Sequence, residues 1–202
     1  AVLRDEITID DYLASRMVCD PLHLYDCDYP VSGACAAVIT TAERARDLAK
    51  KPVLIESISY GTGNDPDWLF TGDMIAEGID GAARRVWAGT SLTPDDVDLA
   101  LLYDGFSALT VAWVEAFGFC GTGEFSDWVD EGRTIGPGGS LPVNTHGGQL
   151  TEGRLHGLAF LTEAVLQLRG ECGVRQVPDA KVAAIGNAGG PQCGAMVVRL
   201  DD

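Results

Sequence analysis

The stretch Asn144-Thr-His-Gly-Gly-Gln-Leu-Thr-Glu-Gly-Arg-Leu-His-Gly157, with an apolar run after it and then Gln167-Leu-Arg-Gly-Glu-Cys-Gly-Val-Arg-Gln-Val-Pro178, decides how the rest of the chain is read. Its glycines make a turn that feeds an amphipathic helix from Gly153 to Arg169. Gly170 ends that helix, and a short polar loop leads to a buried strand. This strand, Lys181 to Ile185, is joined to a last one, Ala195 to Leu200, through the glycine-rich turn Gly186-Asn-Ala-Gly-Gly-Pro-Gln-Cys-Gly194.

Toward the N-terminus the same alternation continues. Leu141 to Val143 reads as a short strand, preceded by a long glycine-rich excursion over 121–140. Ser107 to Phe117 reads as a helix closed by Gly118, and Val97 to Tyr103 as a continuous apolar strand after a turn signal at Ser91 to Asp96. A long helix is predicted from about Thr71 to Ala88, a polar loop over Gly61 to Asp67, and an alternating strand over Val53 to Tyr60. The order βαβαβαββ predicts an α/β fold: a mostly parallel mixed sheet with helices on both faces and its last two strands tightly joined.

Residues 1–50 read differently. A helix over Ile7 to Val18, capped by Thr8 or Asp10, leads into a loop from Pro21 to Pro30. A small-residue strand over Val31 to Thr40 and a Thr41-capped helix over Ala42 to Lys50 follow. These pieces cannot close a core by themselves. We therefore expect 1–50 to be the incomplete end of an N-terminal domain, and 51–202 to be a C-terminal domain.

Composition narrows the function classes. With 202 residues, 46% apolar and 25 of them glycine, the chain suits a compact α/β protein with many tight turns. Thirty acids against 14 bases, a formal charge of −16, disfavour nucleic acid and anionic membrane surfaces as partners. An anionic coenzyme would need local basic residues. No apolar run approaches the roughly 20 residues of a membrane span, and Ala1-Val-Leu-Arg-Asp-Glu6 lacks the pattern of a signal peptide. The six cysteines show no Cys-x-x-Cys spacing and the three histidines no metal-spaced pair. Reduced thiols in a cytoplasmic protein without a metal site are the expectation.

Ligands of such sheets bind at the carboxyl ends of the strands. Those ends are Tyr60, Tyr103-Asp104, Asn144-Thr-His146 and Gly186-Asn187. Asp104 or Ser107 could simply cap the following helix, and His146 could be satisfied by backbone. Tyr103 stands where a parallel strand presents a side chain to a ligand. A phenol there can donate to a carbonyl or move a proton.

These residues resemble the C-terminal half of the thiolase family, most closely its lipid-transfer and sterol-carrier branch. Where that branch carries His-Asp-Cys-Phe, with His and Cys in the acid/base machinery, this chain has Tyr103-Asp104-Gly105-Phe106. The family's Asn-x-x-Gly-Gly segment corresponds to Asn144-Thr-His-Gly147-Gly148. Its Gly-His-Pro falls on Gly153-Arg154-Leu155, so Arg154 replaces the activating histidine. Asn187 stands where many thiolases have an acid/base cysteine, at the head of the loop holding Gly189 and Gly190. Pro30-Val-Ser-Gly-Ala-Cys-Ala-Ala37 is similar to a strand of the family's N-terminal domain.

The resemblance implies a thiolase-like layered fold acting on a CoA thioester, with no covalently bound cofactor. With its sulfur and imidazole groups replaced, the chain is most similar to the thiolase-like aldolases of steroid side-chain degradation. These cut a β-hydroxyacyl-CoA by a retro-aldol step. The resemblance then implies Tyr103 as principal acid/base, assisted by His146 or Tyr60. Asp104, Asn144, Gly147, Gly148, Arg154, Asn187, Gly189 and Gly190 would hold substrate. It further implies a homodimer through the N-terminal domain and a small partner subunit with an OB-fold and a zinc-ribbon-like segment. A thiolase acyltransferase with its nucleophilic cysteine in the other half, and a non-catalytic scaffold subunit, remain the alternatives.

Overall fold

The computed structural model describes residues 1–62 and 74–201. Its elements are α1 (Ile9–Ala14), β1 (Met17–Cys19), β2 (Leu22–His23), α2 (Ala42–Arg46), β3 (Val53–Thr62), α3 (Met74–Ala88), β4 (Leu99–Leu102), α4 (Ser107–Phe117), α5 (Phe125–Trp128), α6 (Gly148–Thr151), α7 (Leu158–Leu168), β5 (Val182–Asn187) and β6 (Gln192–Leu200). The strands β3-β6-β5-β4 form one mixed sheet in that order. The parallel part is β4 on β5, extended by a single parallel bridge from Ala100 to Val143. Strand β6 runs antiparallel to both β5 and β3, because the Gly186–Gly194 turn makes the last two strands a hairpin. The parallel share is thus smaller than the alternation predicts. The strand expected at Leu141–Val143 is reduced to that one bridge.

Alternation along β4 divides the core in two. Ala100 and Leu102 pack with Ile79, Ala82 and Val86 of α3 and with Trp113 and Phe117 of α4. Leu99 and Leu101 face the other way, onto Phe160, Ala164 and Leu168 of α7. Helix α4 has the predicted bounds, since Gly118 at φ 78° supplies the left-handed end that a helix favours.

Three predicted helices come out shorter, and β4 keeps only Leu99–Leu102 of the strand expected over Val97–Tyr103. The helix over Ile7–Val18 keeps only Ile9–Ala14, capped by Thr8, whose Oγ accepts from Asp11 N at 3.1 Å. Arg16 onward turns into the β1–β2 hairpin. Helix α2 stops at Arg46. The helix predicted from Gly153 begins only at Leu158, as α7, and α6 is a separate turn before it, because Gly153, His156 and Gly157 all take positive φ (129°, 50° and 83°). Gly153 is also a close approach: a Cβ there would lie 2.4 Å from the Val31 methyls. The predicted loop over 121–140 contains α5. The start of the long helix and the polar loop after Thr62 lie outside the described residues.

The strand expected over Val31–Thr40 has no ladder partner among the described residues. Val38 is 92% exposed and Ile39 72%. A strand whose apolar side chains have nothing to cover them forms no ladder.

Candidate functional site

The carboxyl ends of β3, β4 and β5 share one edge of the sheet. Leu102 pairs with Gly186, so Tyr103 and Asn187 follow as neighbours, while Tyr60 of β3 pairs with Gly194 of β6. Tyr103 is partly buried. Its N–H donates to Gly186 O at 2.9 Å, and its ring meets the edge of Phe160 with centroids 6.5 Å apart.

An apolar cavity of about 520 Å³ opens beside this edge. Ile58, Tyr60, Leu158, Ile185, Asn187 and Met196 are among its walls. Tyr60 and Asn187 thus share a wall, and Tyr103 stands next to it without being part of it. The Asn187 Oδ1 is buried and has no hydrogen-bond partner among the described residues. Asn144 and Gly147 border a separate cavity of about 920 Å³, formed with the 132–140 loop and Arg175.

Other residues singled out from the sequence have structural partners. Asn144 holds φ 50° and its side chain extends the sheet: Oδ1 accepts from Leu102 N and Nδ2 donates to Leu102 O, both at 2.8 Å. Asp104 is 3% exposed and caps α6, its oxygens accepting from Gln149 N at 2.8 Å and Leu150 N at 3.4 Å. Gly148 must lack a side chain, because a Cβ would overlap Asp104 Oδ2. Arg154 is half exposed, with Nε 3.5 Å from Asp28 Oδ2. Gly190 O accepts from Cys193 Sγ at 3.3 Å, and Gly189 packs on Leu109.

His146 is not brought to the cavity. It is 4% exposed, neither ring nitrogen has a hydrogen-bond partner among the described residues, and its ring meets Phe160 edge-on at 5.5 Å. Burial lowers its pKa to about 4, so it is neutral near pH 7. Its Nε2 lies 3.3 Å from Glu152 Oε2, but a neutral imidazole makes this a polar approach and not an ion pair. Behind it, burial works against ionisation of Glu163. Hydrogen bonds from Arg175, Thr145 and Gln167 overcome this and keep its pKa low.

Asp104 and His146 make opposite demands on stability. Burial pushes Asp104 up to about 6 from its ordinary 3.8, so its contribution is full below 3.8 and is lost as pH rises through 6. The His146 contribution is present above its ordinary 6.5 and is lost as pH falls through 4. Over that window the two offset. Asp104→Asn is expected to make stability fall on acidification more than in the parent, by up to ~3 kcal/mol, and His146→Gln to reverse the sign. Urea unfolding at stepped pH reads this directly; parent-like slopes in both variants would refute it.

One part of the edge was not foreseen. The loop predicted over Pro21–Pro30 is laced across it. Asp28 N donates to Gly105 O (3.2 Å), Tyr29 N to Gln149 O (3.0 Å) and Arg154 N to Tyr29 O (2.9 Å), and Cys27 bridges Phe106. Buried Asp26 accepts from Ser107 Oγ at 2.5 Å and Tyr12 Oη at 2.7 Å. The acidic pair in Asp26-Cys-Asp28, amid aromatics, was the available signal.

Known proteins agree with this architecture. The chain is 44% identical over 170 residues, 81% of its length, to the 17-hydroxy-3-oxo-4-pregnene-20-carboxyl-CoA lyase of Mycobacterium tuberculosis, and covers 43% of that protein. It is 34% identical over 205 residues to human sterol carrier protein 2, covering 98% of itself and 37% of the relative. A solved Ltp2-ChsH2(DUF35) aldolase superposes with a TM-score of 0.84 at 32% identity, over 96% of this chain and 52% of that one. The chain therefore spans about half the length of the curated relatives it matches. Residues 68–201 match the thiolase C-terminal domain-like family, and the chain belongs to that family.

Proposed function

We propose that this chain is the thiolase-fold part of an acyl-CoA lyase that cuts the side chain of a steroid β-hydroxyacyl-CoA by a retro-aldol reaction. The observation that carries this is the pair Tyr103 and Gly105. A phenol and a bare backbone stand where the lipid-transfer thiolases resembled here have imidazole and thiol. Similarity to a carboxyl-CoA lyase and to a solved aldolase supports it.

In this reading Tyr103 takes the proton of the β-hydroxyl as the Cα–Cβ bond breaks. The bonding pair passes into the thioester enolate, a ketone forms at Cβ, and the proton lost from the hydroxyl is returned to the enolate carbon, giving the shorter acyl-CoA. Tyr60, 57% exposed on the cavity wall, is better placed to assist than the enclosed His146. The Asn187 amide, the half-exposed Arg154 cation and backbone amides of the Gly189-Gly190 turn are the groups to hold the thioester. Asp104, Asn144, Gly147 and Gly148 shape the edge that presents them. No covalent cofactor enters, and the CoA thioester is the substrate.

We further propose that residues 1–50 finish an N-terminal domain and 51–202 form the C-terminal one. The whole protein would be a cytoplasmic dimer through its N-terminal domains, with a small OB-fold and zinc-ribbon partner. Among the described residues no helix is long and apolar enough to cross a membrane, and no cluster of ligating side chains could hold a metal ion.

The test is product analysis. The full-length protein, supplied with a steroid β-hydroxyacyl-CoA, is expected to release equal amounts of ketone and short acyl-CoA with no free CoA consumed. An acyl group trapped on a cysteine would return the reading to a thiolase acyltransferase. Absence of any cleavage, with or without the partner, would leave only a scaffold role.

A further inference from the structure

Gly105 is buried and takes an ordinary backbone conformation, outside the left-handed region that calls for glycine. Space is what demands it. A Cβ at 105 would lie 2.5 Å from Tyr103 Cε1, 3.1 Å from Cζ and 3.2 Å from Oη. These are atoms of a rigid ring, not the tip of a flexible chain.

Neither partner can retreat easily. The Tyr103 ring is backed by Phe160, and its backbone is tied to Gly186. The Gly105 carbonyl is held by Asp28 N, and the next residue is bridged to Cys27. The phenol therefore lies across residue 105, with the Cε1 edge of its ring over the spot that a Cβ would take and its hydroxyl 3.2 Å from that spot.

We infer that Gly105 is a positioning residue for Tyr103: its missing side chain is the seat of the phenol, and the two positions can change only together. A tyrosine at 103 and a cysteine at 105 are incompatible on this backbone. Gly105→Cys alone would displace the phenol and not add a thiol beside it. The inference rests on the proposed reaction for its catalytic consequence, but its geometry is independent of that reaction.

A double-mutant cycle on the full-length protein tests it. Gly105→Ala is expected to lower the unfolding midpoint by roughly 3–10 °C with Tyr103 present, and by about 1 °C or less in a Tyr103→Ala background. In the retro-aldol assay Gly105→Ala should lower kcat by about 100-fold with KM nearly unchanged, and cause no further loss in Tyr103→Phe. If Gly105→Ala does not fold, recovery of folding in Tyr103→Ala/Gly105→Ala supports the inference equally. An equal thermal penalty in both backgrounds, no penalty in either, or a double variant that fails where Tyr103→Ala folds would overturn it. Thermal coupling without any retro-aldol activity in the parent would keep the seat and remove the proposed function.

Discussion

Tyr103→Phe is expected to lower kcat for cleavage by about 100- to 10,000-fold, the usual worth of a positioned acid/base group. Folding should survive the change. The substitution removes one oxygen and keeps the ring that meets Phe160 edge-on and lies across Gly105. Among the described residues the Tyr103 hydroxyl makes no hydrogen bond, so its loss should shift the unfolding midpoint little. KM should also change little if the hydroxyl acts mainly in the transition state, making kcat and kcat/KM fall together. Steady-state kinetics beside a thermal melt give both readings. A fully active Tyr103→Phe protein would exclude the phenol from the chemistry, while the fold and family would stand.

Phe160→Ala should be the most damaging single change to stability near the site, at about 3–5 kcal/mol. Phe160 is fully buried and packs with Leu99, Leu101 and Ala164 in the α7 layer. It also meets the rings of both Tyr103 and His146. Truncation leaves a void between two polar side chains, so water is expected to enter. The His146 pKa should then climb from about 4 toward its ordinary value, because the burial that depresses it is relieved. Denaturant unfolding and NMR titration of the imidazole measure the two effects. A loss below ~1 kcal/mol, or an unmoved His146, would show that the surrounding side chains close over the gap.

What could be read from the residues differs by range. Helix α4 was legible end to end because its signals are local: an apolar face and a glycine just past its last turn. Strand ends were legible to within two residues for the same reason, β3 running on to Thr62, β4 stopping at Leu102 and β5 reaching Asn187, so Tyr60, Tyr103 and Asn187 still fall along one edge. The break between α6 and α7 was hidden. His156 at φ 50° looks like any helical residue in the sequence, and the close approach of Val31 to Gly153 is a contact across 122 positions. His146 misled for a related reason. A histidine at a strand end reads as accessible, and only the packing of Phe160 and Glu152 around it shows otherwise. Phe160 itself could not be told from any other core aromatic. The small-residue segment over Val31–Thr40 has strand composition, but pairing depends on a neighbour and not on composition.

The lacing of Asp26 to Val31 between the turn after β4 and the turn opening α6 has a consequence for how this edge is made. The sheet can assemble from later parts of the chain, whereas the edge is finished only when this earlier segment is drawn across it. A single backbone cut within Asp20–Tyr25 would leave β3 to β6 registered and slacken only the edge and the small β1–β2 hairpin, separating loss of chemistry from loss of fold.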